Sequence, residues 1–311
     1  MFLGMATETP SFRPHPSAPA APSPDPSRTT AVDPRGLAAF LVVAFAFSWT
    51  AWWLVPRFLD GGDPTPAVLV GGFGPMVAAI LVTALTRGRS GVAALFRRHS
   101  LRRRGGAWPY VITALIVLAI AGSAALPVYL GTAEVEEAAL RAALLGVPVQ
   151  FLLIALVGGG NEELGWRGFA LPRLQGALPP LAANVTLGAV WAVWHAPLFE
   201  MAGTIQSEVH FPAYALLCVG LTVVMGHVFN SARGGVLAAV VAHAAVNVVS
   251  GLKGMLVGDP AGMFEVTAVL AVAVFLALVT RGRLGLRPAD DGRTPSAGAP
   301  ATVAEPVTAG A

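Results

Sequence analysis

The sequence predicts an all-α polytopic membrane protein with about eight transmembrane helices in a bundle. Three observations carry that expectation. Hydrophobic residues make up 55% of the 311-residue chain and charged residues 12%, where soluble domains average about 25% charged. The mean hydropathy is +0.68. Apolar runs close to the ~20 residues that cross a bilayer recur along the chain; they fall near 37–55, 66–86, 108–130, 143–164, 180–199, 212–230, 234–252 and 262–280.

Residues 1–35 hold eight prolines among Ser, Ala and Thr and read as a disordered tail that cannot bury a core. They lack the basic start and short apolar stretch of a signal peptide, so the first apolar segment is expected to stay as an anchor. Residues 36–285 form the membrane domain, and 286–311 read as a second disordered tail. Trp49, Trp52, Trp53, Trp108 and Tyr110 lie near segment ends, where interfacial aromatics belong. Gly71-Gly72-Phe73-Gly74-Pro75 in the second segment permits close packing and a kink. The fourth segment is expected to run on through Trp166–Leu171 until Pro172 stops it. The single cysteine, Cys218, lies in an apolar run, so no disulfide framework or Cys-based metal site exists within one chain.

Arginine placement sets the expected orientation. The loop after the second segment holds Arg87, Arg89, Arg97, Arg98, Arg102, Arg103 and Arg104, and the C-terminal region adds Arg281, Arg283, Arg287 and Arg293. The alternate loops hold Arg57, Arg141 and Lys253 with Asp60, Asp63, Glu134, Glu136, Glu137 and Glu208. The positive-inside rule then puts both termini of a multi-pass protein in the cytoplasm, and eight spans match that parity. The arginines of 95–104 read as a topology determinant, or as an interfacial helix on anionic lipid. Membrane lipid is the partner they imply, not nucleic acid.

The chemistry gathers at Gly158-Gly159-Gly160-Asn161-Glu162-Glu163-Leu164-Gly165-Trp166-Arg167-Gly168. Charged residues at the edge of an apolar run are costly, roughly 3 kcal/mol each at the bilayer centre, and mark functional sites. Glu163 and Arg167 share a helical face at i and i+4 and read as a structural salt bridge. Glu162 lies about 100° away and has no local cation. Two other segments offer it partners: His195, after Trp191-Ala192-Val193-Trp194, and His243 with Asn247 at i+4. The simplest arrangement turns Glu162, His195, His243 and Asn247 into one wet pocket. Counting helical rise, Glu162 and His243 come out about 13 Å deep and His195 about 20 Å, a mismatch that tilt or a later helix start must close. His227 is expected near the interface. Glu200, Glu208 and His210 are expected in solvent.

Such a pocket suits water activation. A desolvated glutamate works as a general base near neutral pH, a histidine shares the water, and a second histidine with an amide stabilises an oxyanion. Glu162, His195 and His243 are equally competent Zn²⁺ ligands with a position left for water. The residue types do not separate the two versions. A proton-coupled transporter would place acids on several helices, whereas these lie on one. A membrane immunity or scaffold protein without proteolysis remains the alternative reading.

Glu162-Glu163-x-x-x-Arg167, then Trp191-x-x-x-His195, then His243-x-x-x-Asn247, each in or beside an apolar helix, resembles the CPBP group of intramembrane proteases. That group includes the type II CAAX prenyl endopeptidases and the bacterial Abi proteins of bacteriocin processing and self-immunity. Gly74-Pro75 is similar to the group's second-helix pattern. The motif-bearing region is about 143–252. The resemblance implies an eight-helix bundle with a conical cavity open to the cytoplasmic side. It implies that Glu162 and His195 activate water, that His243 and Asn247 hold the oxyanion, and that Glu163 with Arg167 orients the site. It also implies a peptide or membrane-protein substrate. Members are classed as metalloproteases, and a metal-free glutamate mechanism has been argued for some. Trp191 stands where the group usually has Phe, which reads as a conservative change.

Overall fold

The computed structural model describes residues 33–58, 62–99, 105–258 and 262–287. The two expected tails lie almost wholly outside the described residues, as do Asp60, Arg102, Arg103, Arg104 and Arg293. The described elements are all helical. In chain order they are α1 (Pro34–Leu54), α2 (Thr65–Gly72), α3 (Gly74–Phe96), α4 (Trp108–Tyr129), α5 (Glu137–Val157), the short α6 (Glu163–Gly165), α7 (Leu171–Ala177), α8 (Pro180–Trp194), α9 (Phe211–Ser231), α10 (Val236–Val257) and α11 (Met263–Val279). Among the described residues seven helical stretches are long and apolar enough to cross a membrane. The eighth expected span is α11, which is shorter at 17 residues and meets the lower limit for a crossing.

The helices run alternately between two ends of one bundle. At one end the start of α8 meets the C-terminal region, with Leu181 N donating to Gly282 O at 3.1 Å. There Asn230 at the end of α9 donates to Leu284 O at 3.0 Å. At the other end the turn at Gly203 sits against Pro64, and α10 meets α11 through Ser250 and Glu265. Inside, α8 packs on α9, α9 on α11 and α4, α10 on α4 and α5, and α1 on α3.

Several expectations change. The fourth segment is not one helix. It ends at Val157, and Gly158 and Gly159 break it; the chain re-enters through a 3₁₀ turn (Gly160–Glu162), α6, a π-helix (Trp166–Ala170) and α7. Pro172 does not stop it, because it occupies the first turn of α7, where its missing N–H costs nothing. The helix therefore reaches Ala177, which places Glu162 roughly 22 Å from that end by helical rise, the same as His195 from Pro180. Val236, the first residue of α10, lies against Gly168, so α10 starts inside the bundle. Those two facts remove the depth mismatch.

The kink in the second segment falls at Phe73, between α2 and α3. Any Cβ on Gly74 would lie 2.0 Å from Ser48 Oγ, so α1 and α3 touch there at backbone distance. Helix α3 breaks a second time at Gly88 (φ +60°), and Arg98 beyond it donates to Gly168 O at 2.9 Å. Trp52 is not interfacial but buried against Trp194. His227 is likewise buried, accepting from Trp108 Nε1 at 3.2 Å. Lys253 is not a loop residue: it lies in α10 with its ammonium 3.3 Å from Glu265 Oε2, both side chains fully enclosed. Glu200, Glu208 and His210 are exposed.

Candidate active site

The break at Gly158 and Gly159 builds the site. Gly159 has φ +130°, a conformation open to glycine and strained for other residues. A Cβ there would lie 2.8 Å from His243 Nε2 and 3.0 Å from Asn247 Nδ2. The missing side chain is thus the space in which α10 brings an imidazole and an amide to the backbone. Asn247 donates to Gly158 O at 3.3 Å, leaving its second N–H. Asn161 fixes the turn from below: its Oδ1 accepts from Gly159 N at 3.1 Å, and its Nδ2 donates at 3.0 Å to Gly72 O. That carbonyl is freed by the kink between α2 and α3, so the two irregular backbones satisfy each other, as a water-poor interior requires.

The two adjacent glutamates take separate roles. Glu163 is fully buried, and its Oε1 receives Arg167 Nη1 at 2.7 Å and His243 Nδ1 at 2.7 Å. The i and i+4 spacing supplies the arginine; the histidine comes from α10. Arg167 also reaches Thr222 Oγ1 at 3.4 Å on α9. Glu162 turns the other way. Its Oε2 accepts from Trp166 Nε1 at 3.1 Å and from Trp191 Nε1 at 3.0 Å. Its Oε1 takes no hydrogen bond from the described residues. One carboxylate oxygen is anchored and the other faces open space.

That space is a cavity of about 550 Å³ lined by Glu162, His195, His243 and Asn247 together with Trp191 and Tyr214. Glu163 and Arg167 do not line it; they stand behind Glu162 and His243. His195 follows directly on α8, and its Nδ1 lies 2.8 Å from Trp191 O. A carbonyl only accepts, so Nδ1 carries the proton and Nε2 presents a lone pair. The imidazole is wedged among Trp191, Trp194 and Tyr214, with ring centroids 4.7–5.3 Å apart. His243 follows the same logic, with Nδ1 on the Glu163 carboxylate and Nε2 on the cavity side.

All six residues singled out from the sequence therefore meet in one place, four on the cavity and two behind it. Their chemical roles are a separate matter. Among the described residues no three His, Cys, Asp or Glu side chains converge to hold a metal ion. Glu162 Oε1 and the Nε2 atoms of His195 and His243 are the atoms that would hold Zn²⁺, with both Nδ1 atoms already on the outer partners such ligands take, but as placed the three side chains do not converge on one point.

Sequence reasoning missed the anchors. Trp166 was recoverable, because it lies four residues after Glu162 and so on the same helical face. Trp191 was read as a conservative replacement of Phe, but only an indole can donate to Glu162. Asn161, Tyr214 and the buried Lys253–Glu265 pair gave no signal by spacing.

Part of the chain is similar to known proteins. Residues 144–249 match the model of the Type II CAAX prenyl endopeptidase Rce1-like family. A stretch of 63 residues is 41% identical to the CAAX prenyl protease 2 of Methanococcus maripaludis, covering 20% of this chain and 22% of that protein. The match thus spans about a fifth of the curated relative. Residues 144–249, which contain the acidic, histidine and asparagine positions described above, are thus similar to the Rce1-like type II CAAX prenyl endopeptidases over about a third of the chain.

Proposed function

We propose that this chain is an intramembrane endopeptidase that hydrolyses peptide bonds of membrane-associated or lipid-modified substrates, with water activated by Glu162 and His195. The observation that supports this reading is the divided Glu162 carboxylate. Two indoles fix Oε2, and Oε1 faces a cavity shared with two imidazoles and an amide. Glu163 behind it differs in having its second oxygen, Oε2, enclosed rather than turned to the cavity.

In the proposed reaction, a water held between Glu162 Oε1 and His195 Nε2 gives its proton to the carboxylate as its oxygen bonds to the scissile carbonyl carbon. The carbonyl π electrons move to oxygen. Asn247 Nδ2–H donates to that oxyanion, and His243 Nε2–H does so when the ring is protonated, its Nδ1–H staying on Glu163. The oxyanion then collapses, the C–N bond breaks, and the proton on Glu162 passes to the departing amine. Trp166 and Trp191 keep the carboxylate aimed throughout.

Purified protein in detergent, mixed with a set of membrane-peptide substrates and read by mass spectrometry, tests the proposal. Cleavage products are expected with the wild-type chain and absent with Glu162→Gln. Equal product with both proteins would remove Glu162 from the chemistry. No product with either would favour the immunity or scaffold reading.

A further inference from the structure

Part of the cavity wall has no role in the reaction proposed above. Along α10 the spacing that turns His243 and Asn247 to the cavity, i and i+4, continues at i+7 to Ser250, and Ser250, Gly251 and Glu265 line the same cavity. Ser250 Oγ donates to Glu265 Oε1 at 2.6 Å. Glu265 comes from the first turn of α11. Its Oε2 lies 3.3 Å from Lys253 Nζ, with both side chains of that pair enclosed.

Stability does not account for this arrangement. A buried ion pair contributes little net, and well-packed apolar residues of the same volume often do as well or better. Ionisable groups inside apolar helices are candidates for function. The pair here fixes one hydroxyl. A carboxylate held by an ammonium only accepts, so the proton of Ser250 is committed to Glu265 and its lone pairs are left for the cavity. The pair is neutral as a whole, so this part of the wall offers no net charge to select a charged side chain. Beside it, a Cβ on Gly251 would meet nothing within 4 Å beyond the backbone of its own helix. The wall therefore sets a bare strip of helix next to an oriented acceptor, a surface that an extended main chain fits.

From this geometry we infer that Ser250 and Gly251 seat the backbone of the substrate, with Ser250 Oγ accepting a main-chain N–H, and that Glu265 and Lys253 are positioning residues that act through Ser250. Ser250 lies three residues beyond Asn247, about 4.5 Å along the helix. An extended peptide advances about 3.3 Å per residue. The N–H that Ser250 takes therefore belongs one or two residues from the carbonyl whose oxyanion Asn247 meets. Main-chain hydrogen bonds of this kind give affinity, and pockets for side chains give specificity. The register against the cut bond rests on the hydrolase reading proposed above, and the seating of a peptide does not.

The full chain in detergent, with the same set of membrane peptides, tests this by cleavage kinetics and by fluorescence-polarisation binding in the Glu162→Gln background. Ser250→Ala is expected to raise KM, and to weaken binding, about three- to ten-fold, the size of one neutral hydrogen bond, with kcat little changed. Ser250→Thr keeps the hydroxyl and should restore both. Gly251→Ala should raise KM although its methyl has room in the protein and alanine is the better helix former; thermal unfolding should be unchanged or improved. Lys253→Met with Glu265→Gln frees the hydroxyl to turn and should match Ser250→Ala in KM. Peptides N-methylated one amide at a time give the readout that a structural role would not move. At one position, one or two residues from the cut, methylation should abolish the difference between wild type and Ser250→Ala. Unchanged KM and binding in Ser250→Ala, or a loss that no N-methylation removes, overturns the inference and leaves the hydrolase reading standing. Ser250-dependent binding of peptides that the wild type never cleaves upholds the seat and defeats the hydrolase reading. Peptides neither bound nor cleaved overturn both.

Discussion

His243 Nδ1 lies 2.7 Å from Glu163 Oε1, the same oxygen that takes Arg167 at 2.7 Å. One buried carboxylate thus neutralises a guanidinium on its own helical face and fixes the ring of a histidine that faces the cavity from α10. Removing it leaves Arg167 uncompensated. Glu163→Gln is expected to destabilise the protein by about 3–5 kcal/mol, as loss of one partner of a buried pair does. It should also cut activity even where the protein stays folded. Unfolding in detergent and cleavage rates on the same preparation measure both.

Trp191 donates to Glu162, and phenylalanine cannot. Trp191→Phe keeps the ring packing and removes the N–H. A hydrogen bond to a charged group contributes about 1.5–3 kcal/mol, so the cleavage rate is expected to fall about ten- to hundred-fold, mainly in kcat. Trp166→Phe should do the same, and the double variant should fall further than either. Steady-state kinetics of the three proteins check this.

Asn247 has one N–H free for an oxyanion. Loss of one such donor costs about 10²–10³-fold in kcat, and Asn247→Ala is expected in that range with KM little changed. Gly159→Ala should be as severe for a different reason: its methyl would stand 2.8 Å from His243 Nε2 in a backbone conformation that disfavours any side chain.

The Lys253–Glu265 pair is enclosed on both sides and braced by Ser250 Oγ donating to Glu265 Oε1 at 2.6 Å. Lys253→Met or Glu265→Gln alone is expected to lower stability by about 3–5 kcal/mol. The double replacement should recover part of the loss, because both charges then leave the interior. Thermal unfolding of the three variants decides it.

What the sequence disclosed follows from the range of each interaction. The Glu163–Arg167 pair was legible because it closes within one helical turn. The common pocket of Glu162, His195, His243 and Asn247 was legible because polar groups on apolar helices have few places to go. The break at Gly158 and Gly159 was not, since a hydropathy window averages over it and reads one segment through 164. Lys253 was read as a loop charge because it lies near a helix end, and only the packing of α10 on its neighbours hides it. The donor to Glu162 from Trp191 is a contact across 29 residues, beyond the reach of helical spacing.

The central claim is that Glu162 is the base of a peptide-bond hydrolase. The most direct measurement compares membrane-protein termini from cells carrying the wild-type chain with those from cells carrying Glu162→Gln, after unfolding curves establish that both proteins are equally folded. The account predicts a set of new termini present with the wild type and lost with the variant. Identical termini from two equally folded proteins would contradict it.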